Sequence, residues 1–400
     1  MGLNETVSAE RVHIGFFGMR NAGKSSLANA ITGQRISVVS DVLGTTTDPV
    51  KKAMELLPLG PVVIIDTPGI DDEGELGQMR VETAKRTLAK TDIAILVIDA
   101  EIGKRKWDCE LIEEFKKRNI PYIVAYNKCD LLKKRDDLAK NEIYTAAKDG
   151  TGTEEIKKLL GEFAKKLGDP KILVRDLLSE GDIVILVTPI DESAPKGRII
   201  LPQQMVLRDI LDAHASAMVC QPEELSGLIS SLSKKPRMVI TDSQVFAKVA
   251  KDTPKDIPLT SFSILMARYK GDLRSLIEGV KVISDLKDGD PVLISEGCTH
   301  HRQCNDIGTV KMPGWIEKFS GARPSYHFTS GADFPDDLTP YRVIVHCGGC
   351  MINEAEMKHR MNSAKEAKTP IVNYGIAIAG MNGILRRSLE LFPDILALLD

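Results

Sequence analysis

Short runs of apolar residues alternate with longer amphipathic stretches along the first 166 residues of the chain. The runs VHIGFF, VVIID, DIAILVID and PYIVAYN are almost entirely apolar, whereas stretches such as WDCELIEEFKKR repeat apolar residues every three to four positions. Continuous apolar strands joined by helices are typical of a parallel, doubly wound sheet that is covered on both faces. The pattern therefore predicts an N-terminal α/β domain over residues 1–168.

The same alternation occurs twice more after a GDP sequence at residues 168–170, which marks a linker. Strands DIVILVTP and RMVITD with helices QQMVLRDILDAHAS and SQVFAKVAK predict a second unit over residues 169–259. A third unit, over residues 260–400, combines the long helical pattern FSILMARYKGDLRSLIEGVKVI with strands PVLISEG, YRVIVHC and TPIVNYG. A stretch rich in Gly, Pro and Ser between Asp306 and Pro340 is expected to be irregular. We predict three α/β domains, the second and third with smaller parallel sheets.

Composition narrows the class of protein. The chain has 400 residues, of which 43% are hydrophobic and 27% are charged, and this composition is typical of a globular protein. Its net charge of −3 does not favour binding to nucleic acid or to an anionic membrane. The first residues lack a basic segment followed by an apolar one, so we expect a cytoplasmic protein without a membrane span. Seven cysteines are too few for a disulfide framework, but four of them fall in the last third.

Strand HIGFFG leads into GMRNAGKS and then into a helical pattern, which is GxxxxGK[ST] in its proper strand-loop-helix context. Backbone N–H groups of such a loop wrap phosphates, Lys24 reaches the β/γ oxygens, and Ser25 supplies a Mg²⁺ ligand. The predicted phosphate- and ion-binding residues are Gly18, Asn21, Gly23, Lys24, Ser25 and Ser26.

Two further nucleotide-binding motifs follow in order, and then a last base-contacting loop at Ala146-Ala147-Lys148. Strand VVIID ends in DTPG, where Asp66 can hold Mg²⁺ through water and the N–H of Gly69 can sense the γ-phosphate. Strand PYIVAY ends in NKCD, where the two oxygens of Asp130 can accept both donors of a guanine edge, which adenine does not offer. The predicted base-binding residues are Asn127, Lys128, Asp130 and Ala147. We therefore predict GTP and GDP as ligands.

The hydrolytic apparatus is less evident. The loop GTTTD should supply a threonine that binds Mg²⁺, with Thr46 preferred over Thr45, so Lys24, Thr46, Asp66 and Gly69 are the predicted catalytic residues. Ile70 occupies the position where many GTPases carry a glutamine that orients water. Because an apolar side chain cannot do so, we expect slow intrinsic turnover.

The TTTD loop, Asn21 and Ile70 together resemble the tRNA-modifying and ribosome-assembly branch of small GTPases. This resemblance implies that Asn21 helps to bind a K⁺ ion, often across a dimer of G domains. The alternative is that Asn21 is a loop residue that tolerates a tight turn.

Two apolar runs in the last third each lead into cysteines. PVLISEG is followed by Cys298 and His300, and YRVIVHC ends in His346 and Cys347, with Cys350 three residues later. Because the carboxyl ends of parallel strands meet at one edge of a sheet, we expect these side chains to come together there. Backbone N–H groups at the start of the next helix favour thiolates and anionic clusters.

Three kinds of site fit this arrangement. A CxxC at a strand-to-helix junction is typical of thioredoxin-like redox sites, which would leave Cys298 without a role. A zinc site with three cysteines and one histidine fits the donors as well as a 4Fe-4S cluster on Cys298, Cys347 and Cys350 does. His346 is explained equally well as a packed residue. The candidates for a fourth, exchangeable iron ligand are His300, His346, Cys304, Glu296, Asp306 and Glu354.

The order of these motifs resembles one family. An N-terminal GTPase is followed by CxH, a spacer of 45 residues (301–345) and HCxxC. Over its whole length the chain is similar to the maturation GTPase of FeFe-hydrogenases, and the pairing of the two halves carries the resemblance.

The resemblance implies a scaffold that binds a 4Fe-4S cluster through Cys298, Cys347 and Cys350. It implies a homodimer, joined through the middle domain, that receives a di-iron precursor made with two radical S-adenosylmethionine enzymes and hands it to apo FeFe-hydrogenase. The alternative is an RNA- or ribosome-associated GTPase with a C-terminal zinc or redox CxxC site.

Overall fold

The structure is a computed structural model that describes residues 8–34, 49–69, 82–133, 137–167, 172–190, 199–297, 306–331 and 333–399. The chain separates into two compact units, Met1–Pro170 and Lys171–Asp400. No helix within the described ranges combines the length and the apolar content that are needed to cross a membrane.

The first unit is built on a six-stranded sheet in the order β2-β3-β1-β4-β5-β6, in which only β2 runs antiparallel to its neighbour. Its strands are β1 (Val12–Phe17), β2 (Val50–Leu56), β3 (Gly60–Asp66), β4 (Ile93–Asp99), β5 (Tyr122–Asn127) and β6 (Glu142–Tyr144). Its helices are α1 (Lys24–Thr32), α2 (82–88), α3 (Lys106–Lys117) and α4 (Thr153–Lys166).

Alternate residues of each central strand enter different cores. Phe16 and Val97 belong to the core on one face, whereas Phe17 and Leu96 belong to the core on the other. Because both faces are covered, these strands are apolar at nearly every position. The predicted doubly wound fold of this unit is confirmed.

The second unit contains two four-stranded sheets, and all strand pairs in both are parallel. The first sheet has the order β10-β9-β7-β8 and consists of β7 (Ile183–Val187), β8 (Ser216–Cys220), β9 (Met238–Thr241) and β10 (Leu259–Ser261). The second has the order β12-β11-β13-β14 and consists of β11 (Pro291–Glu296), β12 (Ser325–Ser330), β13 (Val343–His346) and β14 (Ile371–Asn373).

The helices of the second unit lie between and beside these strands. They are α5 (Leu201–Asp212), α6 (Leu225–Ser231), α7 (Phe246–Asp252), α8 (Phe262–Lys270), α9 (Leu273–Ser284), α10 (Met312–Ser320), α11 (Glu354–Glu366), α12 (Tyr374–Met381), α13 (Leu385–Ser388) and α14 (Pro393–Leu396). One hydrophobic core runs through the unit, with Leu186 from the first sheet, Leu265 from α8 and Val345 from the second sheet. The predicted boundary at residue 259 falls at the start of β10 inside this unit.

Two local predictions are wrong. The expected long helix is interrupted after Lys270, because Asp272 leaves the helical conformation and its side chain accepts from the N–H of Arg274 to begin α9. The stretch expected to be irregular contains α10 and the edge strand β12. The residues of β12 read SYHFTS, and such mixed polar and aromatic residues lack the continuous apolar run of a buried strand.

Candidate functional site

The loop between β1 and α1 has the form of a phosphate-binding loop. Lys24 is buried, and its Nζ donates to the carbonyl oxygens of Gly18 and Met19, both at 3.0 Å. A Cβ on Gly18 (φ +143°) would lie 2.2 Å from the oxygen of Val97, and one on Gly23 (φ +88°) would lie 2.2 Å from Asn127 Nδ2. Only glycine fits these two positions, so the loop keeps the close wrap that brings backbone N–H groups to phosphates.

Two of the residues predicted to hold Mg²⁺, Ser25 and Asp66, meet at the mouth of this loop. Ser25 Oγ donates to Asp66 Oδ2 at 2.5 Å, and Asp66 is buried at the end of β3. Next to it, Thr67 Oγ1 donates to the oxygen of Phe16 at 2.6 Å, which fixes the DTPG turn to β1. A hydroxyl beside a carboxylate is the hard oxygen donor set that Mg²⁺ takes together with phosphates, so these residues fit the ion.

The predicted base-binding residues divide into two groups. Asn127 is buried and joins the loops, since its Nδ2 donates to the oxygen of Ala22 at 3.0 Å and its Oδ1 accepts from the N–H of Ala147 at 3.1 Å. Lys128 donates to Asp99 Oδ2 at 2.6 Å, while Asp130 is exposed in a 3₁₀ turn. Sequence reasoning missed Asp99, whose only signal was its position at the carboxyl end of β4.

The residue predicted to bind K⁺, Asn21, lies in the described part of the phosphate loop. Asn21 is exposed with φ +62°, the conformation of a tight turn. The residues Thr45, Thr46, Ile70, Cys298, His300 and Cys304 lie outside the described ranges.

The ends of β11 and β13 meet at a cysteine. The N–H of Cys347 donates to the oxygen of Ser295 at 2.9 Å, and the N–H of Gly297 donates to Cys347 Sγ at 3.0 Å. A second N–H, from Gly349, points to the same sulfur at 3.4 Å. Two backbone donors on one sulfur favour a thiolate or a metal-bound thiolate at this position.

Both described thiols of this loop are held in a dry environment. Burial raises the pKa of Cys347 to about 11, although the N–H groups of Gly297 and Gly349 act in the opposite direction. Burial also raises the pKa of Cys350, and the ammonium of Lys270 opposes that rise. The two thiols are therefore protonated at neutral pH unless a cation takes the place of the protons.

His346 has both ring nitrogens engaged. Its Nδ1 donates to the oxygen of Cys347 at 2.7 Å and its Nε2 accepts from Arg360 Nη1 at 3.0 Å. Burial and the neighbouring Arg360 lower the pKa of His346 to about 3, so the ring is neutral. In the described geometry this histidine packs and positions the loop.

Arg360 of α11 is the largest fully buried side chain and was not singled out from the sequence. Its Nη2 donates to Glu356 Oε1 at 2.6 Å and to the oxygen of Gly331 at 2.5 Å, and its guanidinium lies 5.0 Å from the ring of Phe334. Lys270, at the end of α8, is equally buried and was also missed. No pattern marks either residue, because the partners of Lys270 lie 79 to 82 residues away and the Glu356–Arg360 spacing looks like an ordinary surface pair on a helix.

Among the residues that the structure describes, no group of three or more His, Cys, Asp or Glu side chains is arranged to hold a metal ion. Of the three predicted cysteine ligands, Cys347 and Cys350 lie within the described residues.

Two family models match adjoining parts of the second unit. The hydrogen maturase F dimerization domain matches residues 173–271, and the hydrogen maturase F tetramerization domain matches residues 274–391. The chain belongs to the hydrogen maturase F family. The two matches together cover more than half of the chain and meet between α8 and α9. A third model, described as a 50S ribosome-binding GTPase, matches residues 13–128, so this hydrogen maturase F chain has an N-terminal GTPase domain.

The curated relatives that the chain resembles are GTPases. GTPase Der from Kosmotoga olearia is 30% identical over 56% of this chain and 55% of its own length. The tRNA modification GTPase MnmE from Legionella pneumophila is 34% identical over 36% of this chain and 32% of its own length. The chain thus spans between a third and about half of the length of these relatives. A solved structure of an Era variant from Aquifex aeolicus, bound to GDP.AlF4⁻, is 22% identical, covers 52% of this chain and 91% of that chain, and has a TM-score of 0.33.

Proposed function

We propose that this chain is a GTP-hydrolysing scaffold that binds a 4Fe-4S cluster and delivers a di-iron precursor to apo FeFe-hydrogenase. One observation carries the proposal: the N–H of Gly297 donates to Cys347 Sγ at 3.0 Å. The chain therefore reaches the sulfur of the HCxxC motif one residue before Cys298, as a site built from all three cysteines requires.

The cluster is held by Cys298, Cys347 and Cys350. Soft thiolates with backbone N–H donors are the ligands that iron–sulfur clusters take in proteins. The fourth iron keeps an exchangeable ligand, through which the cargo can bind reversibly. Because both nitrogens of His346 are engaged, His300 is the preferred histidine for that position.

The GTPase unit binds GTP with Mg²⁺ on Ser25, Thr46 and Asp66, and Asp130 selects guanine. The exposed Asn21 at the phosphate loop holds a K⁺ ion, which compensates for the absence of a water-orienting glutamine at Ile70. Turnover is slow and faster in K⁺ than in Na⁺. Phosphate release measured in the two salts at equal ionic strength tests this, and equal rates would contradict it.

The protein is a homodimer that associates through the residues 173–271. The sheet in that region ends at β8, an edge strand on which Val219 is 53% exposed, and Leu211 on the neighbouring α5 is 55% exposed. A free strand edge with apolar side chains favours pairing with a second copy. Replacing Val219 by lysine should shift the protein toward monomer in analytical ultracentrifugation, with Ile102→Lys, at a similarly exposed apolar residue outside both matched oligomerization domains, as the control.

The partners are the two radical S-adenosylmethionine enzymes and the apo-hydrogenase, and GTP hydrolysis controls their release. The direct experiment uses protein purified after co-expression with both enzymes and measures hydrogen evolution when it is mixed with apo-hydrogenase. The parent should activate it, and Cys347→Ser should not. Activation that survives loss of this cysteine would overturn the proposal.

A further inference from the structure

A buried lysine clamps the cysteine loop from another helix. Lys270 is the last residue of α8 and is 3% exposed. Its Nζ donates to the carbonyl oxygens of Gly349 at 3.1 Å, Cys350 at 3.0 Å and Ile352 at 2.7 Å. All three acceptors belong to the turn between Cys347 and α11, so one ammonium group is bonded to several points of that turn.

Lys270 affects both the shape and the charge of the cysteine loop. Three carbonyl oxygens bound to one small cation fix the backbone of the turn, and hence the directions of the two cysteine side chains that it carries. The buried ammonium group of Lys270 also favours the binding of an anion at the cysteine loop, because charges that are removed from water interact strongly over short distances. A cluster with three thiolate ligands carries net negative charge.

We propose that Lys270 is the positioning residue of the cysteine site: it holds the Gly349–Ile352 turn in its ligating shape and supplies the positive charge that stabilises a bound anionic cluster. The inference rests on the proposed cluster-binding function. It also joins two regions, because Lys270 lies in the part matched by the dimerization domain while the cysteines lie in the part matched by the tetramerization domain.

The test compares three full-length variants after anaerobic reconstitution with ferrous iron and sulfide. Lys270→Met removes both the charge and the hydrogen bonds. Lys270→Arg keeps the charge but cannot place its planar fork on the same three oxygens. Lys365→Met removes an exposed lysine in the last turn of α11, at the opposite end of the helix from the cysteine turn, and is the control.

The readouts are the rate of iron loss to a chelator and the reduction potential of the cluster. Loss of a residue that orients ligands typically weakens metal binding by about 10–100-fold, so Lys270→Met should lose iron at least ~10-fold faster than the parent. Its potential should fall, because a positive charge near the cluster favours the reduced form. Lys270→Arg should keep the parental potential but lose iron faster, and Lys365→Met should match the parent in both.

The experiment distinguishes a failure of the proposed function from a failure of the proposed role of Lys270. A parent that takes up no iron–sulfur cluster overturns the proposed function. A parent that does so, with Lys270→Met equal to it in both readouts, overturns only the role of Lys270. If circular dichroism shows that Lys270→Met is unfolded, Lys270→Arg decides: a parental rate of iron loss contradicts the clamp, and a faster rate at parental potential supports it.

Discussion

The two candidate sites of this chain share a design and differ in how they are assembled. Each lies where a central strand of a parallel sheet ends in a glycine-containing loop, and each loop has a buried lysine bonded to its carbonyl oxygens. In the phosphate loop, Lys24 lies six residues from its farther partner, Gly18. In the cysteine loop, Lys270 lies 79 to 82 residues from its partners. The phosphate loop is therefore recognisable from a local motif. The lysine contacts of the cysteine loop form only after two distant segments have folded together.

The largest effect that we expect comes from the local lysine. Lys24→Ala removes the charge that is predicted to contact the β/γ oxygens of GTP, and loss of one such electrostatic group typically costs about 10²–10³-fold in turnover. Phosphate release from GTP should fall by that factor while the thermal unfolding of the second unit stays unchanged. Lys106→Ala, at a side chain that is 93% exposed, is the control. If Lys24→Ala hydrolysed GTP at the parental rate, this loop would not take part in GTP hydrolysis.

At the cysteine loop, by contrast, we expect a substitution to lower the free energy of unfolding. Arg360→Met leaves Glu356 buried without its cationic partner, which typically costs about 3–5 kcal/mol. Urea unfolding followed by circular dichroism should report this loss. The double variant Arg360→Met with Glu356→Leu should recover much of it, because no buried charge is then left alone. A single variant as stable as the parent would mean that the arginine does not organise the loop.

A substitution at Asn127 tests whether the phosphate loop also depends on a residue that is distant in sequence. Its bond to Ala22 joins residues 105 apart in sequence, and Asn127→Ala leaves buried backbone groups unsatisfied at a cost of about 1–3 kcal/mol. GDP affinity, measured with a fluorescent analogue, should weaken correspondingly. Asn141→Ala, at a half-buried asparagine bonded to Tyr122, should leave affinity unchanged. If both variants bound GDP equally well, the link between the two loops would be irrelevant to the ligand.

The smallest effect concerns Arg268, on the same helix as Lys270. Arg268 donates to Asp176 Oδ1 at 2.9 Å and holds the pKa of that carboxyl below its usual 3.8. A lowered pKa in the folded state adds stability above pH 3.8, and this is lost as the pH falls through the folded value. Because the pair is one-third exposed, Asp176→Asn should cost less than about 1 kcal/mol at pH 7. The difference from the parent should vanish in acid, and a pH-independent difference would contradict the pairing.

What could be predicted from sequence follows the same division. The four inner strands of the first unit, β1, β3, β4 and β5, were recognised because both of their faces are covered, and the phosphate loop because Gly18, Gly23 and Lys24 lie within one short segment. The convergence of β11 and β13 was expected from strand direction alone, and the N–H of Gly297 on Cys347 agrees with it.

The rest depended on tertiary structure. Lys270 reads as a surface residue at the end of an amphipathic helix, and Arg360 as one of several charges on α11. The break at Asp272 was missed because a single capping residue outweighs a helical pattern that continues on both sides of it. The role of His346 could not be chosen from spacing, because its partner Arg360 lies in another element.

The central claim is that three cysteines from two converging strands bind an iron–sulfur cluster in a chain that also carries a GTPase domain. The direct measurement is anaerobic reconstitution of the full chain with ferrous iron and sulfide, followed by absorption spectroscopy and by iron and zinc analysis. The parent should become brown and hold about four irons per chain, and the variant with Cys298, Cys347 and Cys350 all changed to serine should stay colourless. A colourless parent that binds zinc instead, or a triple variant that keeps its iron, would contradict the claim.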